Sequence, residues 1–447
     1  MNVATRRSRL SGWGRHPVAT CNLARPSGAE AAAAIAAEAE SLIARGCGRS
    51  YGDSSLNPDL TLGTTGLDRL LAFDPESGKL ECEAGVTLAQ LIDTFLPRGW
   101  ISPVTPGTRF VTIGGMVAAD VHGKNHHVAG SFCDHVEWVD LALPGGRVER
   151  CSRATNADLF EATCGGLGLT GLILRVAFRM LRVETASIRQ RTIRAPNLGA
   201  AIDLFEESLD WTYSVAWVDC LASGDDLGRS VAFLGEHARR DELGADARAD
   251  PFSRPKARRK RVPIDFPAVA LSALSVRAFN ALYYLRQRPG YSLTAMEPYF
   301  YPLDAILEWN RVYGRRGFVQ YQCVLPLESS REGLSKLLRE ISVARRGSFL
   351  AVLKRMGAQS FGHLSFPMPG YTLALDFPVD RESLALLDRL DSVTQDHGGR
   401  LYLAKDGRAG PRAAQAGYPR LDEFREVRRR WGLDMHFKSL QSKRLEI

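Results

Sequence analysis

The run Arg45-Gly46-Cys47-Gly48-Arg49-Ser50-Tyr51-Gly52-Asp53 constrains this chain more than any other stretch. Glycines at 46, 48 and 52 let the backbone turn sharply and bring bare N–H groups against a ligand. A short apolar piece, Leu42-Ile43-Ala44, precedes the loop, and before it runs an alanine-rich helical pattern from Glu30 to Ser41. A strand feeding a glycine loop is a suitable cradle for phosphate. The spacing is neither Gly-x-x-x-x-Gly-Lys-Ser/Thr nor Gly-x-Gly-x-x-Gly. By itself the loop reads equally as a structural turn or as a pyrophosphate grip.

Two more glycine-rich loops follow. One runs from Pro106-Gly107-Thr108-Arg109 through Thr112-Ile113-Gly114-Gly115 to His122-Gly123-Lys124-Asn125-His126-His127. The other is Cys164-Gly165-Gly166-Leu167-Gly168-Leu169-Thr170-Gly171. Packing alone explains any one of them, but three together suggest an extended ligand gripped along its length. His122 and His126 stand four apart, a metal-binding spacing on a helix. Gly123 and Asn125 oppose a helix there, and no carboxylate follows usefully, so no metal is expected. A neutral histidine bonding a ligand or the backbone fits better. No Gly-x-Ser-x-Gly supports a serine triad. Lys405, between Ala404 and Asp406, reads as a surface charge by default. Its small-residue setting also suits a pocket.

A chain of 447 residues calls for two domains. An apolar share of 45% with 24% charged residues belongs to a soluble globular protein. A net charge of +8 favours anionic ligands, lipid headgroups or nucleic acid. The densest basic run, Arg254 to Arg261, is a solvated loop or a contact for an anionic membrane surface. No aromatic or glycine motif interleaves its charges, so nucleic acid is not the expected partner. Eight cysteines show no zinc spacing and no Cys-x-x-Cys pair, as in a reduced cytosolic protein. Arg6-Arg7 is followed by no apolar core, so no signal peptide is expected. Phe266 to Leu285 is the most apolar stretch of helix length. Arg277 and Asn280 interrupt it, which predicts a buried or interfacial helix rather than a membrane span.

Local patterns predict an Ala-rich helix capped by Ser27 with Glu30 completing a capping box. Strands and turns alternate from Leu60 to Val86, and a helix spans Leu88 to Phe95. An extended loop covers 101–135, and strands cover Val136 to Leu143 and Leu172 to Phe178. After about residue 182 helical patterns alternate with aromatic strands. Val215 to Val218, Val319 to Leu325, Phe349 to Leu353 and Thr372 to Phe377 read as strands of a second domain. An amphipathic helix closes the chain near Asp422 to Arg430.

Taken together, these segments resemble the vanillyl-alcohol-oxidase type of FAD-binding protein, and most closely the decaprenylphosphoryl-β-D-ribose 2′-oxidase family. Gly48 to Asp53 resembles its first FAD loop. Pro106-Gly107-Thr108 and Asp120-Val121-His122-Gly123-Lys124-Asn125-His126-His127 with Ala129-Gly130-Ser131-Phe132 resemble the second. Gly165-Gly166 and Gly168 to Gly171 resemble the third. Gln320-Tyr321-Gln322, Leu364-Ser365-Phe366-Pro367, Pro369-Gly370 and Gly398 to Asp406 extend the likeness to nearly the whole chain.

The resemblance implies an α+β, two-subdomain FAD-binding fold of the vanillyl-alcohol-oxidase/PCMH type. Its substrate domain would be an antiparallel sheet with flanking helices. It implies a split: 1–182 for FAD, 183–399 as a substrate cap, and 400–447 returning to the FAD domain. It carries FAD contacts onto Ala44, Arg45, Gly46, Cys47, Gly48, Arg49, Ser50, Tyr51, Gly52, Asp53 and Ser54. More fall on Gly107, Thr112, Ile113, Gly114, Gly115, Ala119, Asp120, Val121, His122, Ile173 and Tyr402. Many relatives attach FAD covalently through a histidine where this chain has Arg49, which implies non-covalent FAD.

Substrate positions carry over to Lys124, Trp217, Phe300, Gln322, Lys354 and Lys405. Lys405, with His122 or Tyr51, would orient or accept a sugar hydroxyl proton as a hydride leaves C2. Lys124 and Lys354 would serve the phosphate. Thr372 and Ala374 replace a pocket Asn and Cys of the family, and Phe300 replaces a tyrosine. The implied activity is oxidation of a polyprenyl-phosphoryl ribose to its 2′-keto form by a cytoplasmic enzyme peripheral on the inner membrane. A short-chain reductase partner would complete an epimerisation to arabinose. The alternatives are a soluble aldonolactone or alditol oxidase using oxygen, and a flavin-binding scaffold or basic nucleic-acid binder without catalysis.

Overall fold

The computed structural model describes residues 4–254, 260–267 and 272–447. Most of the basic run, residues 255–259, lies outside them, as do 268–271 of the apolar segment.

Residues up to 182 build two main sheets. The first has the order Thr5–Ser11, Val18–Ala24, Thr61–Gly63, Ile43–Arg45. Its first pair is antiparallel and the other two pairs are parallel. Helix Ala29–Glu38 makes the crossover into Ile43–Arg45, burying Ala29, Ala32 and Ala36 on one side. The chain enters this helix one residue later than the capping pattern requires. Gly28 is the N-cap, no side chain caps it, and Ser27 and Glu30 are not a capping pair. The second sheet is antiparallel, in the order Leu70–Phe73, Lys79–Glu83, Leu172–Arg179, Val136–Ala142, Val148–Ser152. Helix Leu88–Phe95 forms where the sequence predicts it, and Thr87 Oγ1 accepts from Gln90 N at 3.2 Å to cap it.

The expected loop over 101–135 contains helix Ile113–Ala118 and the single turn His126–Ala129. Thr112 Oγ1 caps the first by accepting from Gly115 N at 3.2 Å. Gly114 is there for packing rather than turning, since a Cβ on it would stand 2.8 Å from Ala84 Cβ. The glycines misled the sequence reading because close approach and turning call for the same residue.

An eight-stranded antiparallel sheet follows, built from residues 187–401. Its order is Gly290–Ala295, Ser187–Ala195, Ser230–His237, Tyr213–Val218, Ala351–Met356, Gly370–Pro378, Phe318–Pro326, Arg400–Leu401. The period of two sorts the central strands. Tyr321, Cys323, Leu325, Leu353, Leu373, Leu375 and Phe377 are buried in the main hydrophobic core. Helices Leu327–Val343 and Arg381–Asp396 supply Leu334, Leu337, Leu338, Leu386, Leu387 and Leu390 to the same core. The intervening residues, Gln320, Gln322, Val352, Lys354, Ala374 and Asp376, line a cavity.

The C-terminal segment returns to the first sheet. Leu42 N donates to His436 O at 2.8 Å, and Lys438 N to Leu42 O at 3.0 Å. Helix Leu421–Arg430 buries Leu421, Phe424, Val427 and Arg428. The Arg428 guanidinium donates to Leu169 O and Phe437 O. All eight cysteines are free thiols. Among the described residues no helix is long and apolar enough to cross a membrane.

Candidate active site

The cavity, about 340 Å³, has two unlike walls. One is backbone: the loops at 46–51, 106–108 and 114–115, with Leu167, Gly168, Gly171 and Ile173 behind them. The other consists of side chains from the eight-stranded sheet, closed at one end by Tyr402, Ala404 and Lys405.

The first loop leaves the strand Ile43–Arg45 and bends at Gly48, whose φ is +63°. The backbone N–H groups from Gly46 to Ser50 donate to no acceptor among the described residues. A Cβ on Gly46 would collide with Thr112 Oγ1, so glycine lets this loop lie against the cap of Ile113–Ala118. Gly107 has open space where a Cβ would be. Arg49 stacks on Trp13, its guanidinium carbon 3.8 Å from the ring centroid, and its Nε is buried without a partner. Exposed N–H groups in sequence, with the unpartnered guanidinium N–H of Arg49, make a nest for an anionic pyrophosphate.

The first loop is fastened to the loop that carries Lys405. Tyr51 N donates to Ala404 O at 3.1 Å. Arg444, from the last helix, bridges Asp53 at 2.7 Å and Asp406 at 2.9 Å. Gly52 lies directly against the backbone of Asp406 and Gly407, where any Cβ would clash. The Lys405 ammonium consequently sits over the Tyr51 ring, 3.7 Å from its centroid.

On the sheet wall Asp376 Oδ1 accepts from Gln320 Nε2 at 2.6 Å, its strand partner by register. Asp376 Oδ2 is buried and unpartnered. Burial pushes the Lys405 ammonium down, and the attraction of Asp376 opposes this. Burial pushes the Asp376 carboxyl up, and the Gln320 bond and Lys405 oppose that. Burial therefore drives both groups toward neutrality while their mutual attraction holds charge. Lys354 on the neighbouring strand is lowered to about 8 by burial alone. Gln322 Nε2 donates to Thr372 Oγ1 and to His122 Nε2, each at 3.2 Å. His122 is held well below its ordinary range by burial, then by Lys354, His126 and Lys405. A neutral ring accepting at Nε2 carries its proton on Nδ1, and that atom has no partner.

Of the sequence-predicted positions, Ala44, Gly46 to Tyr51, Ser54, Gly107, Thr112, Gly114, Gly115, Ala119, Val121, His122, Ile173, Gln322, Lys354, Tyr402 and Lys405 line the cavity. Arg45, Gly52, Asp53, Ile113 and Asp120 stand behind the wall. Arg45 donates to Ser11 O and Ser55 Oγ, while Asp120 accepts from Ser365 Oγ and Cys133 N. Three substrate expectations do not reach the cavity wall. Lys124 gives its ammonium to Tyr299 O against the Tyr299 ring, and burial lowers it to about 7. Phe300 packs among Tyr213, His237 and Tyr299. Trp217 faces Tyr283 and donates its indole N–H to Phe349 O. His126 Nδ1 accepts from Gly357 N at 2.9 Å, and its ring centroid is 6.4 Å from that of His122.

Trp13, Asp304, Trp309, Gln320 and Asp376 line the cavity without having been singled out as site residues. Asp376 had a signal: a carboxylate between Leu375 and Phe377 in a strand is unexpected unless its face meets something polar. Trp13, Asp304 and Trp309 had none, since long-range packing brings them in.

Residues 23–152 match the FAD binding domain family. The decaprenylphosphoryl-β-D-ribose oxidase of Mycolicibacterium smegmatis is 36% identical over 454 residues, covering 99% of this chain and 98% of that protein. The chain belongs to the decaprenylphosphoryl-β-D-ribose oxidase family. An uncharacterized protein of Streptomyces coelicolor is also 36% identical, over 77% of this chain and 95% of its own length. L-gulonolactone oxidase 5 of Arabidopsis thaliana is 30% identical over only 30% of this chain and 24% of its own. As a family member the chain is an FAD-dependent oxidoreductase. The nest at 46–50, the open face of Gly107 and the orphaned Arg49 Nε fit that cofactor.

Proposed function

We propose that this protein oxidises the 2′-hydroxyl of a polyprenyl-phosphoryl-β-D-ribose to the 2′-keto sugar. The full-length likeness to the mycobacterial oxidase carries this reading, and the cavity's polar side-chain wall supports it. Residues 1–182 with 400–447 hold FAD, and 183–399 cover it. Bound FAD supplies acceptance of two electrons from an alcohol carbon. Arg49 stands where many relatives have the attaching histidine, and a guanidinium cannot form that bond, so the cofactor is held non-covalently.

The chain's own residues bind, orient and move a proton. Gln322 and His122 Nδ1–H face the sugar as hydrogen-bond partners. Lys405, biased toward its neutral amine by burial, accepts the hydroxyl proton at Nζ. Asp376 and the Tyr51 ring fix where that nitrogen sits. Lys354, still protonated near neutral pH, receives the phosphate. The product is a ketone, so a reductase of the short-chain class would complete an epimerisation. The basic surface suits an anionic membrane that holds such a substrate.

The test is anaerobic titration of the yellow holoprotein with polyprenyl-phosphoryl ribose, following bleaching of the flavin band. Reduction by the lipid-linked ribose and not by free aldonolactones supports the reading. Rapid reduction by soluble lactones with peroxide release sinks it in favour of a soluble oxidase.

A further inference from the structure

The notable surface is helix Ala273–Arg286. The helix is apolar on two opposed sides. Its inner side packs: Val276 and Asn280 are buried, Tyr283 meets Trp217 at 4.6 Å, and Phe279 meets Phe349 at 5.9 Å. Its outer stripe is Leu274, Ala278, Leu282 and Leu285, spaced four, four and three apart on one face. Leu274 is 80% exposed and Leu285 67%. An exposed apolar stripe of this kind marks a contact.

Charge decides which contact. From Phe266 to Met296 the chain has no carboxylate, while Arg277, Arg286 and Arg288 all fall there. Arg277 and Arg286 flank the leucine stripe on its two sides. From strand Ser187–Ala195, Arg194 donates to Leu285 O and Gln287 O at the end of the helix. An apolar stripe between arginines matches the profile of a bilayer interface, with acyl chains in the middle and phosphates beside them.

The patch also connects to the cavity. Leu350 lines the cavity, and Leu350 and Phe349 pack against the same aromatic cluster of Trp309, Tyr313 and Phe318. Phe349 touches Phe279 and accepts from Trp217 Nε1 at 3.0 Å. One aromatic layer thus separates the cavity from the exposed helix.

We propose that the outer face of helix Ala273–Arg286 docks on an anionic bilayer and turns the cavity toward the lipid. This deepens the lipid-linked substrate reading and rests on it for its purpose. Its physical content is tested without substrate. The holoprotein is floated with vesicles of phosphatidylcholine and phosphatidylglycerol, and with phosphatidylcholine alone. The expected result is retention on the anionic vesicles that weakens with salt. In Leu274→Glu/Leu285→Glu, retention should fall roughly 100-fold, since two leucines that would enter the bilayer become charges. FAD absorbance and thermal midpoint should stay at the parental values because both positions are exposed.

Wild-type protein left unbound by anionic vesicles overturns the proposal. So does a double variant that binds as tightly as wild type. A variant that changes oligomeric state while vesicle retention is unchanged also overturns it, and assigns the face to a protein contact. Vesicle retention in a protein that polyprenyl-phosphoryl ribose cannot reduce would leave the docking face standing and remove only the substrate.

Discussion

The two walls of the cavity are made by different means. The loop wall presents backbone: N–H groups from Gly46 to Ser50, made available by the left-handed Gly48 and the close-packed Gly46. The sheet wall works with side chains on alternate residues of three strands: Gln320 and Gln322, Val352 and Lys354, Ala374 and Asp376. A backbone grip depends on what side chains are missing, so it tolerates little change and carries little selectivity. A side-chain wall can be altered one contact at a time. Cofactor retention should therefore fail on one wall and turnover on the other.

The sharpest break in that contrast is Gly46→Val. Its branched side chain has no room beside Thr112 Oγ1, and the purified protein should carry no flavin absorbance. A yellow Gly46→Val preparation would mean that the nest is not the grip. Lys405→Ala should do the reverse, with full flavin content and substrate reduction slowed about 1,000-fold in stopped flow. An unchanged rate removes Lys405 from the mechanism. Lys354→Met should raise KM about tenfold for the phosphorylated substrate and leave reduction at saturation nearly intact.

The pH profile should separate the two lysines. If Lys405 takes the proton as a neutral amine, its depressed pKa makes kcat/KM rise with pH as it loses its proton. If Lys354 binds the phosphate in its charged form, kcat/KM should fall again above about 8, where burial sets its pKa. The smallest effect is that of Asp376→Asn. Removing the carboxylate removes the attraction that raises the Lys405 pKa, so the rising limb should move to lower pH. A limb that stays put would uncouple the pair.

How far the letters reached differs between the walls in the same way. The loop wall was legible because glycine clusters are local, and the strand before the first loop formed where the apolar piece lies. The helix Leu88–Phe95 was legible because its period and its Thr87 cap sit within one segment. Helix Ile113–Ala118 was missed because its glycines serve packing against Ala84, a contact with another strand. Lys124, Trp217 and Phe300 were expected at the substrate and are held elsewhere by Tyr299, Phe349 and His237. Asp376 falls within the expected strand Thr372 to Phe377, and only the register puts it across from Gln320, where it raises the Lys405 pKa.

The sequence alone determined the kind of cradle, the family, and the residues able to carry a proton or a phosphate. Those follow from residue type and near-neighbour order. Tertiary structure decided which of them share one cavity. Register placed Asp376 opposite Gln320, and the Arg444 bridge brought Asp53 beside Asp406 so that Lys405 lies over Tyr51. Depressed lysines and a raised carboxyl exist only after burial removes water. That is a property of the packed chain and of no segment within it.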